Sequence, residues 1–172
     1  MNRSVQILLF VVVTLVAAAG GYWFSGPTHS RHINGDGVLA ATFPDLSGEP
    51  HRIGSWKGKV LVVNFWATWC PPCLEEIPMF VRLQQALGQR GLQFVGIAVD
   101  QPDKVADFVA KNAVNYPVMI GQLDAIKIAE SAGNDSGGLP YTLVFDRQGR
   151  VESRHFGGLT ERELKPIIEK LL

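Results

Sequence analysis

Two cysteines separated by two residues are the side chains in this sequence best suited to chemistry. Cys70 and Cys73 are its only cysteines, and the residues between them, Pro71 and Pro72, are both prolines. Two intervening residues at the start of a helix bring the Cα atoms to about 5.5 Å, a separation that a disulfide prefers. A pair at this spacing can form and break a disulfide without refolding of the domain. The motif therefore predicts a redox centre.

The sequence around the motif predicts a strand that leads into a helix. The unbroken apolar run Val60–Trp66 is typical of a strand buried on both faces, and residues 70–87 have a helical pattern. Proline fits the first helical turn because its missing N–H would be unpaired there. Cys70 is then expected at the N-cap, where the N–H of Cys73 can reach its sulfur and the helix dipole stabilises a thiolate. Cys70 is predicted to attack, and Cys73, which is more buried, to resolve the mixed disulfide.

Residues close to the cysteines indicate the direction of exchange. Pro72 removes a backbone donor that could reach the thiolate, no cationic side chain lies between the cysteines, and Glu75 and Glu76 add negative charge. Each feature disfavours a strongly stabilised thiolate at Cys70, and such a stabilised reduced form is what makes an exchanger strongly oxidising. Local charge therefore favours a reductant or a mild exchanger.

Two structural uses of the cysteine pair stand as alternatives, a permanent disulfide and half of a zinc site. A domain of about 130 residues buries enough surface to fold without a structural disulfide or a bound metal. Zinc would need two more ligands, and no histidine stands at finger-like spacing from the cysteines. The histidines are His29, His32, His51 and His155. We therefore predict redox chemistry without a metal or a cofactor.

The composition bears on the class of partner. Lysine plus arginine and aspartate plus glutamate number 16 each in 172 residues, and the formal net charge is 0. A domain that binds nucleic acid usually carries a basic excess. No nucleic-acid partner is predicted.

The N-terminus predicts export. Residues 5–24 are almost entirely apolar, and about 20 such residues are enough to cross a bilayer as a helix. Arg3 precedes this segment and the next cationic residue is Arg31, a bias that leaves the N-terminus in the cytoplasm. A cleaved signal peptide is the alternative, because Ala17 and Ala19 form an A-x-A site. Either way the domain reaches a compartment in which disulfides persist.

Three segments follow from these patterns. Residues 1–24 are predicted to be a membrane anchor or uncleaved signal, residues 25–39 a linker, and residues 40–172 the folded domain. Within the domain the predicted strands cover a hairpin at 43–53 and residues 60–66, 92–99, 116–120, 142–145 and 151–156. The predicted helices cover 70–87, 103–112, 123–132 and 160–172. Parallel crossovers followed by an antiparallel hairpin predict an α/β fold, with a central mixed sheet and helices on both faces.

The active-site segment also resembles a known family. Residues 64–73 read NFWATWCPPC and are followed by Glu76 and Pro78. This pattern is similar to that of the thioredoxin-like superfamily, and more narrowly to its TlpA/ResA branch of membrane-anchored bacterial thiol–disulfide oxidoreductases. The resemblance covers residues 43–172. It implies a thioredoxin-like fold with an N-terminal β-hairpin and a central αβ insertion around residues 103–120.

The resemblance implies further site residues. The segment 138–142, GLPYT, matches the cis-proline loop of the family, so Leu139 and Pro140 are expected to face the cysteines. Together with Trp69, Pro71 and Pro72 they are expected to bind the client chain.

Two residues beside the cysteines bear on proton transfer. Glu76 matches an acidic residue of the branch and is expected to relay protons for the resolving thiol, with an ordinary exposed glutamate as the alternative. Asn64 stands where ordinary thioredoxins carry a buried aspartate, and an asparagine side chain cannot titrate.

The function implied is reduction of disulfides in extracytoplasmic client proteins, with apocytochrome c as one client. Electrons would come from a membrane donor of the DsbD/CcdA type, and the protein would sit in the bacterial inner membrane with its catalytic domain on the periplasmic side. A disulfide oxidant or isomerase and a thiol peroxidase are alternatives on the same fold. The peroxidase pattern would need proline at Val63 and threonine at Ala67, which are absent. A non-catalytic binding module is disfavoured because the cysteine pair is intact.

Overall fold

A mixed β-sheet with helices on both faces forms the centre of the fold, as seen in a computed structural model that describes Asn2 and residues 35–172. The strands are β1 (Thr42–Pro44), β2 (Pro50–Arg52), β3 (Val60–Trp66), β4 (Leu92–Ala98), β5 (Val118–Ile120), β6 (Tyr141–Phe145) and β7 (Val151–Phe156). The helices are α1 (Asp36–Ala40), α2 (Pro71–Leu87), α3 (Pro102–Lys111), α4 (Gln122–Ser131) and α5 (Glu161–Leu171). Short 3₁₀ turns lie at Ile53–Trp56 and Gly88–Arg90.

The strand order β5-β4-β3-β6-β7 places β3 at the centre of the sheet. β3 pairs in parallel with β4, and β4 with β5, whereas β6 is antiparallel to β3 and β7 is antiparallel to β6. Every residue of β3 is buried, as its unbroken apolar run predicts for a strand covered by helices on both faces. The predicted α/β class and mixed sheet are confirmed.

Alternate side chains of β3 enter two hydrophobic clusters, one on each face of the sheet. Val62 and Trp66 pack in a cluster with residues of α2, α3 and α5. Leu61 and Phe65 pack in the other cluster with residues of α1 and α4. Trp66 has the core position predicted for it, with its ring centroid 5.2 Å from that of Phe108. β3 is therefore held by packing on both sides at the end where the cysteine motif begins.

The predicted N-terminal hairpin is present as β1 and β2. Thr42 pairs with Arg52 in the antiparallel register. Gly48 in the turn has a φ of 90°, a left-handed conformation that glycine adopts without steric cost. Asp45 at the hairpin tip forms an isolated bridge with Met119 of β5. The hairpin thus covers part of an edge strand that would otherwise be open to pairing.

The helix and strand predicted between residues 103 and 120 are present as α3 and β5. β5 begins at Val118 rather than at the predicted residue 116. Pro117 has no N–H to give to a sheet, which explains the later start. Tyr116 packs against Phe94 instead, with 5.7 Å between ring centroids.

The prediction of a linker over residues 25–39 is wrong at its C-terminal end. Residues 36–39 lie in α1, where Val38 is fully buried and packs with the cluster that includes α4. The amide of Leu39 donates to the carbonyl oxygen of Gly35 at 3.0 Å. Five residues are too few to display a helical period, so the sequence gives no helical signal here.

The predicted membrane anchor at residues 1–24 lies outside the described residues, apart from Asn2, as does the linker up to residue 34. Across residues 35–172, no helix is long and apolar enough to cross a membrane.

Candidate active site

The two cysteines form a disulfide at the start of α2. Their sulfur atoms are 2.06 Å apart and their Cα atoms 5.3 Å apart. Cys70 is the N-cap residue, and Pro71 and Pro72 are the first two residues of the helix, as predicted. The N–H of Cys73 donates to the carbonyl oxygen of Cys70 at 3.1 Å, and not to its sulfur as the sequence suggested. That sulfur is already bonded to the Sγ of Cys73.

The two cysteines differ in their access to solvent. Cys70 has 5% of its surface exposed, whereas Cys73 has none and packs among the apolar residues between α2 and the sheet. A reagent that approaches from solvent therefore meets Cys70 first.

Exposed apolar groups surround Cys70. Trp69 has 64% of its surface exposed, and Pro71 and Pro72 are also exposed. A methyl group placed on Gly158 would lie 3.5 Å from the Cβ of Pro72, so the loop before α5 passes close to the start of α2. The structure thus brings the predicted client-binding residues Trp69, Pro71 and Pro72 to the surface beside the disulfide.

The predicted cis-proline loop lies at the same end of the sheet. The Leu139–Pro140 peptide bond is cis. Tyr141, which follows it, pairs with Phe65 near the end of β3. Pro140 accepts a hydrogen bond from the N–H of Gly157 at 2.9 Å. Leu139 packs against the cluster that contains both cysteines.

A residue that no motif in the sequence predicted, Asn134, holds this loop. Asn134 is buried, and its Nδ2 donates to the carbonyl oxygen of Gly138 at 2.9 Å. The backbone carbonyl oxygen of Asn134 accepts a hydrogen bond from the N–H of Gly137 at 3.0 Å. An asparagine at the start of a glycine-rich turn is the local signal that could have found it. Phe156, also missed, is 57% exposed and lies against Gly138.

Glu76 is buried, with 3% of its surface exposed, so the alternative of an ordinary surface glutamate is wrong. Its Oε1 accepts a hydrogen bond from the Nδ2 of Asn64 at 2.7 Å. Its Oε2 accepts one from the N–H of Leu159 at 2.9 Å. Asn64 also donates to the Oγ1 of Thr142 at 3.0 Å. Glu76 thus joins α2 to the central strand and to the loop before α5.

Burial decides the protonation of Glu76. Removal from water raises its pKa to about 7, although the hydrogen bonds from Leu159 and Asn64 act in the opposite direction. Burial, together with the negative charge of Glu76, also raises the pKa of Tyr116. A carboxyl group that titrates near neutrality can both accept and release a proton there.

A second carboxylate, also missed from sequence, contacts the turn before Cys70. Asp100 follows β4, and its Oδ2 accepts hydrogen bonds from both the N–H and the hydroxyl of Thr68. Because β3 and β4 are parallel neighbours, their carboxyl ends meet at one edge of the sheet. A carboxylate two residues after the end of β4 is therefore a sequence signal for a side chain near the cysteine motif.

Comparison with known sequences fits this geometry. The sequence model of the Redoxin family matches residues 33–172. The chain belongs to the Redoxin family. The match covers every helix and strand described above, from α1 to α5.

Curated relatives of this Redoxin protein carry the name thiol-disulfide oxidoreductase ResA. The protein of Geobacillus thermodenitrificans is 28% identical over 169 residues, which cover 96% of this chain and 95% of the relative. The protein of Geobacillus kaustophilus is 27% identical over 164 residues, which cover 94% of this chain and 92% of the relative.

Solved structures of similar proteins agree with the family assignment. A thiol:disulfide interchange protein of the thioredoxin family from Chlorobium tepidum is 34% identical, with a TM-score of 0.67 over 78% of this chain and 94% of that one. A secreted disulfide oxidoreductase of Mycobacterium tuberculosis is 26% identical, with a TM-score of 0.68 over 79% of this chain and 99% of that one. This Redoxin protein is a thiol–disulfide oxidoreductase with a thioredoxin-like fold.

The buried carboxyl group makes stability depend on pH. Because folding raises the pKa of Glu76 from 4.5 to about 7, the folded state binds more protons than the unfolded state between these values. The free energy of unfolding therefore falls as pH rises through this window, by on the order of 3 kcal/mol from this group. Glu76→Gln should abolish that fall, and denaturant unfolding of the oxidised protein at about pH 5 and about pH 8 measures it.

The matched control is Glu75→Gln, which removes the exposed neighbouring carboxylate and should keep the wild-type pH dependence. An identical fall in the wild type and in Glu76→Gln would contradict the assignment.

Proposed function

We propose that this Redoxin protein reduces disulfides in extracytoplasmic client proteins through the Cys70–Cys73 pair. The observation that carries the proposal is the unequal placement of the two cysteines. Cys70 is at the helix N-terminus and reachable from solvent, and Cys73 is buried on the face of α2 that also holds Glu76. This arrangement suits an attacking thiol, a protected resolving thiol and an internal proton acceptor.

The exchange proceeds in two displacements. The Cys70 thiolate attacks one sulfur of the client disulfide, a mixed disulfide forms, and the other client sulfur leaves as a thiolate that takes up a proton. The Cys73 thiolate then attacks the sulfur of Cys70, which releases the second client thiol. Two electrons and two protons pass to the client, and the Cys70–Cys73 disulfide is formed.

Glu76 is proposed to take the proton from the Cys73 thiol in the second displacement. The two residues are three positions apart on one buried helix face, a spacing that brings side chains together. The ionised carboxylate is the base, so the step should quicken as pH rises through the pKa of Glu76, about 7.

Two features favour reduction over oxidation. No cationic side chain lies among residues 70–76, so thiolate stabilisation depends on the start of the helix alone. The exposed Glu75 adds a negative charge in the first turns of α2. Both oppose the stabilised reduced form that defines a strong oxidant.

The client chain is proposed to lie across the exposed surface beside Cys70. Trp69, Pro71 and Pro72, which are exposed, would contact it on one side. The backbone of the half-buried Leu139 and the buried Pro140 would contact it on the other. The curated relatives are named ResA, and the likeness to the TlpA/ResA branch makes apocytochrome c the proposed client. Its haem-attachment cysteines must be reduced before haem is joined to them.

The proposed location is the bacterial inner membrane. Residues 1–24 would form a single membrane-spanning anchor, and the Redoxin domain would lie on the periplasmic side. The reducing equivalents would come from a membrane donor of the DsbD/CcdA type, which would reduce the Cys70–Cys73 disulfide after each turnover.

The roles of the cysteines predict different outcomes for their serine variants. Cys70→Ser should abolish exchange because the attacking sulfur is lost. Cys73→Ser should accumulate a mixed disulfide with the client because the resolving step is lost. Non-reducing electrophoresis of the full chain mixed with an oxidised client protein separates these outcomes. A mixed disulfide that forms only with Cys70→Ser would reverse the assignment.

The reduction potential tests the direction of transfer. Equilibration of the full chain in graded glutathione or dithiothreitol buffers should give a value near or below about −230 mV, as expected of a reductant. A value near about −120 mV would make the protein an oxidant and would refute the argument from local charge.

The rate of the resolving step, measured separately from the attack by Cys70, tests the proposed role of Glu76. Mixing the reduced protein with a chromogenic aryl disulfide releases one thiol on attack by Cys70 and a second on resolution by Cys73. The second release should become faster as pH rises through about 7. In Glu76→Gln it should be slower by about 10²-fold, with no inflection near neutrality. Glu75→Gln is the control, and equal second-phase rates in wild type and Glu76→Gln would exclude the proposed role.

A further inference from the structure

Asp100 makes the hydrogen bonds that fix the turn between β3 and the disulfide. The backbone N–H of Thr68 donates to its Oδ2 at 3.1 Å, and the hydroxyl of Thr68 donates to the same oxygen. The other carboxylate oxygen, Oδ1, accepts from the N–H of Gln101 at 2.7 Å. Asp100 is thereby hydrogen-bonded both to the turn and to Gln101, the N-cap residue of α3.

Two backbone hydrogen bonds also define the turn. Cys70 closes it by donating to the carbonyl oxygen of Ala67 at 3.3 Å, and the N–H of Val99 donates to Trp66 at 2.8 Å where the two strands end. Trp69 lies inside this turn, and with 64% of its surface exposed it is held only in part by packing. The direction of the Trp69 side chain therefore depends on the backbone of its neighbours.

The charge of the Asp100 carboxylate strengthens its hydrogen bonds to this turn. Burial acts to raise the pKa of Asp100, but hydrogen bonds from Thr68 and Gln101 and the charge of Lys104 outweigh it and hold that pKa below its ordinary value. Asp100 is therefore ionised at neutral pH, and hydrogen bonds to an ionised acceptor are stronger than those between neutral groups.

We propose that Asp100 is a positioning residue for client binding: by holding Thr68, it fixes the turn that presents Trp69 beside the disulfide. It acts through Thr68, because the hydrogen bonds of its carboxylate go to Thr68 and Gln101. Cys70 also takes part in this turn, but it is held in addition as the N-cap of α2 and, in the oxidised protein, as one end of the disulfide. The inference rests on the proposed role of Trp69 in contacting the client.

The test compares protein clients with a small reagent. In the full chain, Thr68→Val removes the hydroxyl and retains every charge, and Asp100→Ala removes the acceptor. Each should raise the KM for a disulfide-bonded protein client by about tenfold, the effect of losing a charge-assisted hydrogen bond. Alkylation of reduced Cys70 by iodoacetamide, which needs no docking, should stay within about twofold of the wild type.

Three further variants sharpen the comparison. Asp103→Asn removes an exposed carboxylate in the first turn of α3 and should leave KM unchanged. Thr68→Ser keeps the hydroxyl that Thr68→Val removes, and its KM should equal that of the wild type. The double variant Thr68→Val/Asp100→Ala should be no worse than Asp100→Ala, because both changes remove the same contact.

The inference is overturned by any of three results. These are an unchanged KM in both single variants, additive effects in the double variant, or a fall in alkylation as large as the rise in KM. The last result would mean that the dithiol itself is disturbed. Failure of the proposed reductase function would instead appear in the wild type, as an oxidising potential or an absence of exchange with the client.

Discussion

Burial of the Glu76 carboxyl group is the constraint on which the active site depends. A buried polar group without hydrogen bonds costs several kcal/mol, so its partners must be in place whenever the protein is folded. Those partners are the side chain of Asn64 in the central strand and the N–H of Leu159, which lies 83 residues beyond Glu76 in the sequence. One carboxyl group therefore fixes the start of α2 against both the sheet and the loop before α5. The same loop passes Pro72 and hydrogen-bonds to Pro140, so both sides of the proposed client-binding surface are tied to it.

The unequal environments of the two cysteines follow from the way α2 lies on the sheet. The face of the helix that carries Glu76 also carries Cys73 and Ile77, and all three are buried. Cys70, at the N-cap, is at the edge of this contact and retains some access to solvent. A rotation of the helix that exposed Cys73 would also bring the Glu76 carboxyl group away from Asn64. The chemistry of the pair and the packing of the helix are thus set together.

The sequence predicts the architecture well where the signal is local. The apolar run at Val60–Trp66 matches β3 residue for residue, and the cysteine spacing predicts the disulfide geometry. Local signals do not separate Glu75 from Glu76, which are adjacent and chemically alike, although one is exposed and the other buried. Only the orientation of α2 on the sheet decides that. The contact between Thr68 and Asp100 spans 32 residues, and its signal is the predicted parallel pairing of β3 and β4 rather than the sequence next to either residue. Helix α1 was missed because five residues cannot display a helical period.

Asparagine at position 64 is what allows Glu76 to titrate as a single site. Both hydrogen atoms of its amide are used, one on Glu76 and one on Thr142. In the part of the chain that the structure describes, its Oδ1 is buried without a hydrogen-bond partner. An aspartate here would place a second carboxylate where the amide now lies 2.7 Å from Glu76. Two such groups cannot both ionise, so one would take up a proton and the pair would titrate in two coupled steps. The unpaired oxygen of Asn64 is therefore the cost of keeping a single titratable carboxyl group, with a pKa that burial raises, as the proposed proton acceptor for Cys73.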